Sequence, residues 1–183
     1  MASHTLDASR RQFLRGDYQG RKTVVRPPWA APQDRFLSLC DRCGHCRDAC
    51  RERLILLTDS GYPQIEFKNG ACTFCGDCAR SCPTGALQKS ETSAVPWKLQ
   101  AQVSDRCLAF QGVVCLVCGE QCDARAISFL RRSTPVTVPV VDVDRCNGCG
   151  ACVAPCPGLA VSMDYARADS AGDGNSFEEV VCT

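Results

Sequence analysis

Three segments of this chain repeat one cysteine pattern, C-x2-C-x2-C-x3-C, and this repetition constrains the fold more than any other feature. Group one is Cys40, Cys43, Cys46 and Cys50; group two is Cys72, Cys75, Cys78 and Cys82; group four is Cys146, Cys149, Cys152 and Cys156. Group three keeps the pattern with a wider first gap and consists of Cys107, Cys115, Cys118 and Cys122. All but one of the 17 cysteines therefore belong to a repeated motif.

Cysteine at this density is typical of disulfide-bonded secreted proteins and of proteins that bind metal clusters. A disulfide framework needs an oxidising compartment, which a chain reaches with a signal peptide that carries a continuous apolar stretch. The longest purely aliphatic run here is Leu54 to Leu57, whereas a membrane span needs about 20 apolar residues. The sequence therefore predicts no membrane span and a reducing compartment, in which clustered cysteines bind metal.

The shared pattern is the ligand pattern of bacterial ferredoxins. A 4Fe-4S cluster takes one thiolate per iron, and in two-cluster ferredoxins the fourth cysteine of each run ligates the other cluster. Structural zinc sites use two separated C-x2-C pairs instead. Groups one, two and four therefore predict three 4Fe-4S clusters; group three predicts either a fourth cluster or a partial, degenerate site.

The same rule predicts which cysteines share a cluster. Each cluster takes the first three cysteines of one group and the last cysteine of the neighbouring group. The predicted combinations are Cys40, Cys43 and Cys46 with Cys82; Cys72, Cys75 and Cys78 with Cys50; Cys146, Cys149 and Cys152 with Cys122; and Cys107, Cys115 and Cys118 with Cys156.

The spacing of the groups suggests two tandem pairs, groups one and two and then groups three and four. Short β-rich runs precede groups two and four ("YPQIEFKNG", "PVTVPVVDVDR") and follow groups two, three and four ("GALQ", "AISFL", "LAVSM"). The predicted fold class is α+β, with two tandem bacterial-type dicluster ferredoxin modules of short strands, cluster-binding loops and short helices. The predicted divisions are a basic arm at 1–30, modules at 31–90 and 91–166 joined by a linker at 89–98, and a flexible acidic tail at 167–183.

The first 30 residues carry six basic and two acidic side chains. Within them, Arg10 and Arg11 precede Phe13 and Leu14, like a twin-arginine export address, but polar and charged residues follow where an apolar core is expected. The segment therefore predicts a partner-docking arm with Phe13 and Leu14 as its apolar face, or else a solvated arm. No basic stripe interleaved with aromatic residues supports nucleic-acid binding.

The sequence shows no Ser-His-Asp or Cys-His arrangement, no phosphate-binding glycine loop and no paired acids that suggest substrate chemistry. We therefore expect no enzyme, but an iron-sulfur accessory or electron-transfer protein. Taken alone, the cysteine groups support a polyferredoxin that carries electrons between redox partners as well as they support an accessory protein. An electron-transfer subunit of a larger redox complex is the third hypothesis.

The arm and the four groups together resemble the NapF family, ferredoxin-type accessory proteins associated with periplasmic nitrate reductase. The motifs that carry the resemblance are "SRRQFLRG", "RPPW", "GYPQIEFKNGACTFC", "CLAFQGVVCLVC" and "CNGCGACVAPCP". The resemblance implies a cytoplasmic protein that contacts the precursor of the nitrate reductase catalytic subunit before export. It also implies that the protein helps to assemble or load the iron-sulfur centre of that subunit.

Overall fold

The computed structural model describes residues 24–89, 96–131 and 136–165. The predicted docking residues Arg10, Arg11, Phe13 and Leu14 and the predicted acidic tail lie outside the described residues. None of the helices within those three ranges is long and apolar enough to cross a membrane. Below, residues 24–89 are called the first half and residues 96–165 the second half.

The first half contains short helices and one small antiparallel sheet. Its elements are α1 (Gln33–Leu39), α2 (His45–Asp48), β1 (Ile55–Leu57), β2 (Pro63–Ile65), a 3-10 helix (Phe67–Asn69) and α3 (Asp77–Arg80). β1 pairs with β2 so that Ile55 lies opposite Ile65, and both side chains are buried. Helix α1 follows Pro32 and buries Phe36 completely, which anchors the helix to the core.

Helices α2 and α3 are one turn long, and the start of each is specified locally. Each follows a glycine in the left-handed conformation, Gly44 with φ 79° and Gly76 with φ 81°. A residue with a Cβ atom adopts this conformation at a cost, so glycine is favoured there. Each helix carries the third cysteine of its group, and the fourth cysteine follows soon after the helix ends. The short helices therefore present sulfur atoms rather than a broad packing face.

The second half has two five-residue strand pairs. Its elements are β3 (Leu99–Val103), α4 (Val117–Glu120), β4 (Ile127–Arg131), β5 (Thr137–Val141) and β6 (Val161–Tyr165). β3 pairs antiparallel with β6, and β4 pairs antiparallel with β5. The runs "AISFL", "PVTVPVVDVDR" and "LAVSM" thus contain most of β4, all of β5 and most of β6, as their composition predicts. By contrast, "GALQ" forms only a single bridge, between Leu87 and Ala30.

One apolar core extends through both halves and includes Phe36, Leu54, Leu87, Leu99 and Met163. A smaller cluster around Cys107 consists of Ala109, Val138 and Ala160. The sequence places Arg26 to Trp29 in the arm and Trp97 in the linker, but all five residues are buried. Trp29 and Trp97 have large apolar side chains, and burying them places the end of the predicted arm and of the predicted linker in the core.

Candidate iron-sulfur sites

The third cysteine of each group is buried. Burial raises the pKa of Cys46 and of Cys118 to about 11, and neighbouring thiols and backbone N–H groups modify the shift. Burial likewise raises the pKa of Cys78 and of Cys152 to about 12. Without iron these thiols are protonated at neutral pH, so metal binding has to displace their protons.

Four cavities are each lined by four cysteines that come from two groups. We call these cysteines sets I to IV. Set I is Cys40, Cys43, Cys46 and Cys82; set II is Cys50, Cys72, Cys75 and Cys78; set III is Cys107, Cys115, Cys118 and Cys156; set IV is Cys122, Cys146, Cys149 and Cys152. The structure thus brings together the same four combinations that the ferredoxin rule predicts, including the one at the irregular third group.

The cavities differ in size. Those of sets I, III and IV have volumes of about 20, 10 and 10 Å³, whereas the cavity of set II has about 170 Å³. Trp29, Leu54, Ile55 and Ile65 also line the set II cavity. This cavity therefore extends from the cysteines into the apolar core of the first half.

Hydrogen-bond donors lie beside the fourth cysteines of groups two, three and four. The Cys122 and Cys156 sulfurs each accept a backbone N–H at 3.3 Å, from Ala126 and Ala160. Burial alone raises the pKa of Cys82, but hydrogen bonds to its sulfur, chiefly from the Leu87 backbone and the Thr84 side chain, outweigh burial and lower it. Such donors stabilise a thiolate, and hydrogen bonds to sulfur tune the potential of an iron-sulfur cluster.

The two halves meet between sets II and IV. The Cys72 N–H donates a hydrogen bond to the Cys149 carbonyl oxygen at 2.8 Å, so ligand loops from different halves are bonded directly. Beside this contact, the Trp97 ring packs edge-on against Phe67 and Phe74, with ring centres 6.0 Å apart in each pair. Sets I and II are built from groups one and two, and sets III and IV from groups three and four, so this contact connects the two pairs of sets.

Arg26 is a buried cation close to set I. Its guanidinium donates hydrogen bonds to the Pro63 carbonyl oxygen at 3.0 Å and to the Gln33 side chain at 3.3 Å, and its Cζ lies 5.0 Å from the centre of the Phe36 ring. Burial lowers the Arg26 pKa, while nearby Tyr165 and Cys40 act in the opposite direction. Sequence reasoning did not single out Arg26 or Trp29, although the "RPPW" motif that contains them was visible.

Apolar side chains are exposed next to set III. The widened gap of group three presents Phe110, Val113 and Val114 with 44, 51 and 73% of their surface exposed, and Leu159 is 69% exposed. Gly158, adjacent to Leu159, lines the set III cavity together with Leu108. Exposed apolar residues at this concentration are typical of protein interaction surfaces.

The residues of each set fit an iron-sulfur cluster. Each set offers four sulfur ligands, the donor type that such clusters use. Within the described ranges, no group of three or more His, Cys, Asp or Glu side chains is arranged to hold a single metal ion.

Comparison with known proteins points the same way. Residues 39–86 match the family described as 4Fe-4S dicluster domain, and residues 139–162 match the 4Fe-4S binding domain family. The chain is 39% identical to the ferredoxin-type protein NapF of Escherichia coli strain K12, over 89% of this chain and 98% of that protein. The Haemophilus influenzae NapF protein is 36% identical over 85% of this chain and 93% of that protein. The chain belongs to the NapF family of ferredoxin-type proteins.

A wider set of ferredoxin-type proteins is also similar. NapG of Escherichia coli strain K12 is 34% identical over 72% of this chain and 65% of its own length. The methylamine utilization protein MauM of Methylophilus methylotrophus is 32% identical over 73% of this chain and 66% of its own length. As a NapF-type protein with two 4Fe-4S domains, the chain carries multiple 4Fe-4S clusters and has an iron-sulfur electron-transfer or accessory role.

Proposed function

We propose that sets I to IV each hold one 4Fe-4S cluster, so that the sixteen grouped cysteines are all ligands. The observation that carries this proposal is the presence of four cavities, each lined by four cysteines from two groups. On this assignment Cys82→Ala removes the cluster signal of set I and leaves that of set II. Loss of the set II signal instead would contradict the assignment.

The proposed division of the chain follows from the sets. Residues 31–90 and 91–166 act as two bacterial-type dicluster ferredoxin modules, because each range contains two complete sets. Because Arg26 to Trp29 are buried in the core, the proposed basic arm ends before residue 24, and residues 167–183 are proposed as an acidic tail.

We infer that the protein acts in the cytoplasm as an accessory to periplasmic nitrate reductase. It binds the precursor of the catalytic subunit before export and helps to assemble or load its iron-sulfur centre. Membership of the NapF family supports this function. The assignment gives the protein iron-sulfur clusters but no substrate site of its own.

The exposed apolar residues beside set III support binding to a partner protein. Phe110 and Val114 lie in the gap that distinguishes group three from the regular groups, and both are exposed. A precursor that docks here would lie next to a proposed cluster. Arg10, Arg11, Phe13 and Leu14 are a second proposed docking element.

The contact between Cys72 and Cys149 favours a second candidate function. Because it joins the two halves between sets II and IV, the protein could carry electrons along all four sets. An electron carrier, or an electron-transfer subunit of a redox complex, needs such a continuous arrangement but does not need to recognise an immature partner.

Binding to the two forms of the catalytic subunit separates these functions. The cluster-loaded protein is prepared anaerobically, and its affinity is measured for the precursor and for the mature, cofactor-filled subunit. A maturation role predicts clear preference for the precursor. Equal affinity, or no binding to either form, would contradict that role and leave electron transfer.

Three variants locate the contact. Val114→Ser alters the apolar surface beside set III, and deletion of residues 10–15 removes the centre of the arm. Leu56→Ser is the matched control, because Leu56 is a 39% exposed apolar residue in the first half. We expect the first two variants to weaken precursor binding and the control to leave it unchanged, with equal iron content in all three.

A further inference from the structure

Trp29 contains a buried donor without an acceptor. Trp29 is only 8% exposed, and its Nε1–H has no hydrogen-bond partner among the described residues. In the described ranges, Ser104 Oγ is the other buried polar side-chain atom without a hydrogen-bond partner. A hydroxyl group can rotate to find a partner, whereas an indole N–H is fixed in the plane of the ring. An unpaired buried donor destabilises the fold, so buried donors in proteins almost always have an acceptor. We therefore expect an acceptor for the indole N–H of Trp29.

The position of Trp29 suggests the missing acceptor. Trp29 lines the cavity of set II together with Cys50, Cys72, Cys75 and Cys78. Ser104 lines none of the four cysteine cavities. The unpaired N–H thus belongs to a residue that borders a proposed cluster site.

The backbone holds Trp29 in an unfavourable conformation. Its φ is 60°, in the left-handed region that bulky side chains rarely adopt. Both of its backbone polar groups are engaged, since Trp29 N–H donates to the Pro96 carbonyl oxygen at 2.8 Å and Gln88 N–H donates to the Trp29 carbonyl oxygen at 3.0 Å. Strained residues that their surroundings hold in place are concentrated at functional sites.

The ring is also fixed in place. The Lys89 Nζ lies 4.9 Å from the centre of the Trp29 ring, a cation–π contact. Pro27 and Pro28 precede Trp29 and are buried, and their rings restrict the backbone. The indole is therefore held beside set II and is not free to swing into solvent to satisfy its N–H.

We propose that the Nε1–H of Trp29 donates a hydrogen bond to a sulfur atom of the cluster held by set II and raises its reduction potential. Reduction adds negative charge to the sulfur atoms, so a donor stabilises the reduced form more than the oxidised form. The proposal rests on the ligand assignment given above for set II and is independent of the partner protein.

Trp97 provides a matched control within the same chain. It is also 8% exposed, but its Nε1–H donates to the Asn147 carbonyl oxygen at 3.2 Å and is thus already satisfied. The chain contains only these two tryptophans. Replacing either with phenylalanine removes one N–H and keeps an aromatic ring, so the two variants differ in which acceptor loses its donor.

A redox titration monitored by EPR spectroscopy tests the proposal on the full, cluster-loaded chain. Trp29→Phe should shift one cluster signal to lower potential, and Trp97→Phe should leave that signal in place. The shifted signal should be the one that disappears in Cys75→Ala. An unshifted potential in iron-replete Trp29→Phe protein would overturn the proposal, as would a shift in the cluster that Cys75→Ala retains.

A second measurement does not depend on how well Trp29→Phe folds. In Trp97→Phe protein grown with tryptophan labelled with ¹⁵N in the indole ring, Trp29 carries the only label. Pulsed EPR of the reduced protein should then detect a weak ¹⁵N coupling to a cluster. Absence of this coupling would place the N–H away from the cluster and overturn the proposal, even if Trp29→Phe loses iron.

The same experiments distinguish failure of this proposal from failure of the set II ligand assignment or of the proposed partner. If Cys75→Ala does not reduce the iron content relative to the wild type, the ligand assignment of set II is wrong. The proposed hydrogen bond from Trp29 to that cluster is then rejected as well. A lack of binding to the nitrate reductase precursor would change none of these spectra, so failure of the proposed partner is recognised separately.

Discussion

The two halves carry the same cysteine pattern but support it differently. In the second half, β3 near its start and β6 at its end form an antiparallel sheet with five residue pairs. The first half has only the bridge between Ala30 and Leu87 in the corresponding place. There, buried residues from Arg26 to Trp29 and the buried ring of Phe36 supply the packing. The cysteine motif thus constrains its own loops but tolerates different supports around them.

The glycines of the ligand loops show the same difference. A Cβ atom at Gly44 would meet no atom closer than 3.7 Å, and at Gly76 it would meet only flexible ends of Arg80 and Lys89. In the second half, a Cβ atom at Gly150 would lie 2.1 Å from the Phe67 ring, and at Gly148 2.5 Å from Trp97 Nε1. The second-half loops are therefore packed against aromatic rings, including one from the first half.

The largest expected effect comes from adding one carbon to a loop glycine. Gly148→Ala should lower the free energy of unfolding by about 3–4 kcal/mol, since it combines a left-handed backbone with a clash against Trp97 and Leu99. Gly44→Ala has a similar φ without the clash and should cost about 1–2 kcal/mol. Anaerobic denaturation of both variants measures the difference, and equal losses would show that the loops are equally tolerant.

The next effect tests the buried cation of the first half. Arg26→Met should lower the free energy of unfolding by about 2–3 kcal/mol, because the Pro63 carbonyl oxygen loses a donor that carries a charge. Lys98, which precedes β3 in the second half, is exposed, and Lys98→Met should change stability by less than about 0.5 kcal/mol. Denaturation midpoints provide the test, and similar losses in both variants would contradict this account of the first half.

Iron removal should proceed more quickly from the first half. The second cysteines of groups one and two, Cys43 and Cys75, are exposed, whereas Cys115 and Cys149 are only partly exposed. After addition of a chelator, alkylation followed by mass spectrometry should label Cys43 and Cys75 before the second-half cysteines. Simultaneous labelling of all four would show that exposure of the ligand does not control iron loss.

The smallest expected effects have opposite signs in the two halves. Groups two and four have proline after their last cysteine, but groups one and three have Arg51 and Asp123 there. Arg51→Gln removes a positive charge beside set II and should lower its potential. Asp123→Asn removes a negative charge near Cys149 and should raise the potential of set IV.

Redox titrations of these two variants at low and high salt provide the measurement. Both residues are exposed, so salt should screen both shifts and reduce their size. Shifts of the same sign in the two variants would indicate a change in loop structure instead of a change in charge.

Much of the candidate site could be read from the sequence because its determinants are local. The spacing of Cys72, Cys75 and Cys78 brings three sulfur atoms to one loop, whatever surrounds it. The ferredoxin rule then supplies the fourth cysteine, and the structure places Cys50 in the same cavity. Short β-rich runs likewise predicted strands where β4, β5 and β6 lie.

Long-range packing decided what the sequence could not. Arg26 to Trp29 look like the proline-rich end of an arm, and Trp97 looks like part of a linker, until the fold surrounds them with apolar neighbours. The hydrogen bond between Cys72 and Cys149 joins residues that no sequence spacing relates. By itself, the sequence determined the four cysteine groups, since these depend on short spacings, and the ferredoxin rule predicted which cysteines share a cavity. Only the tertiary structure decided where the two halves touch and that the Trp29 indole lies beside set II, because both depend on contacts between distant segments.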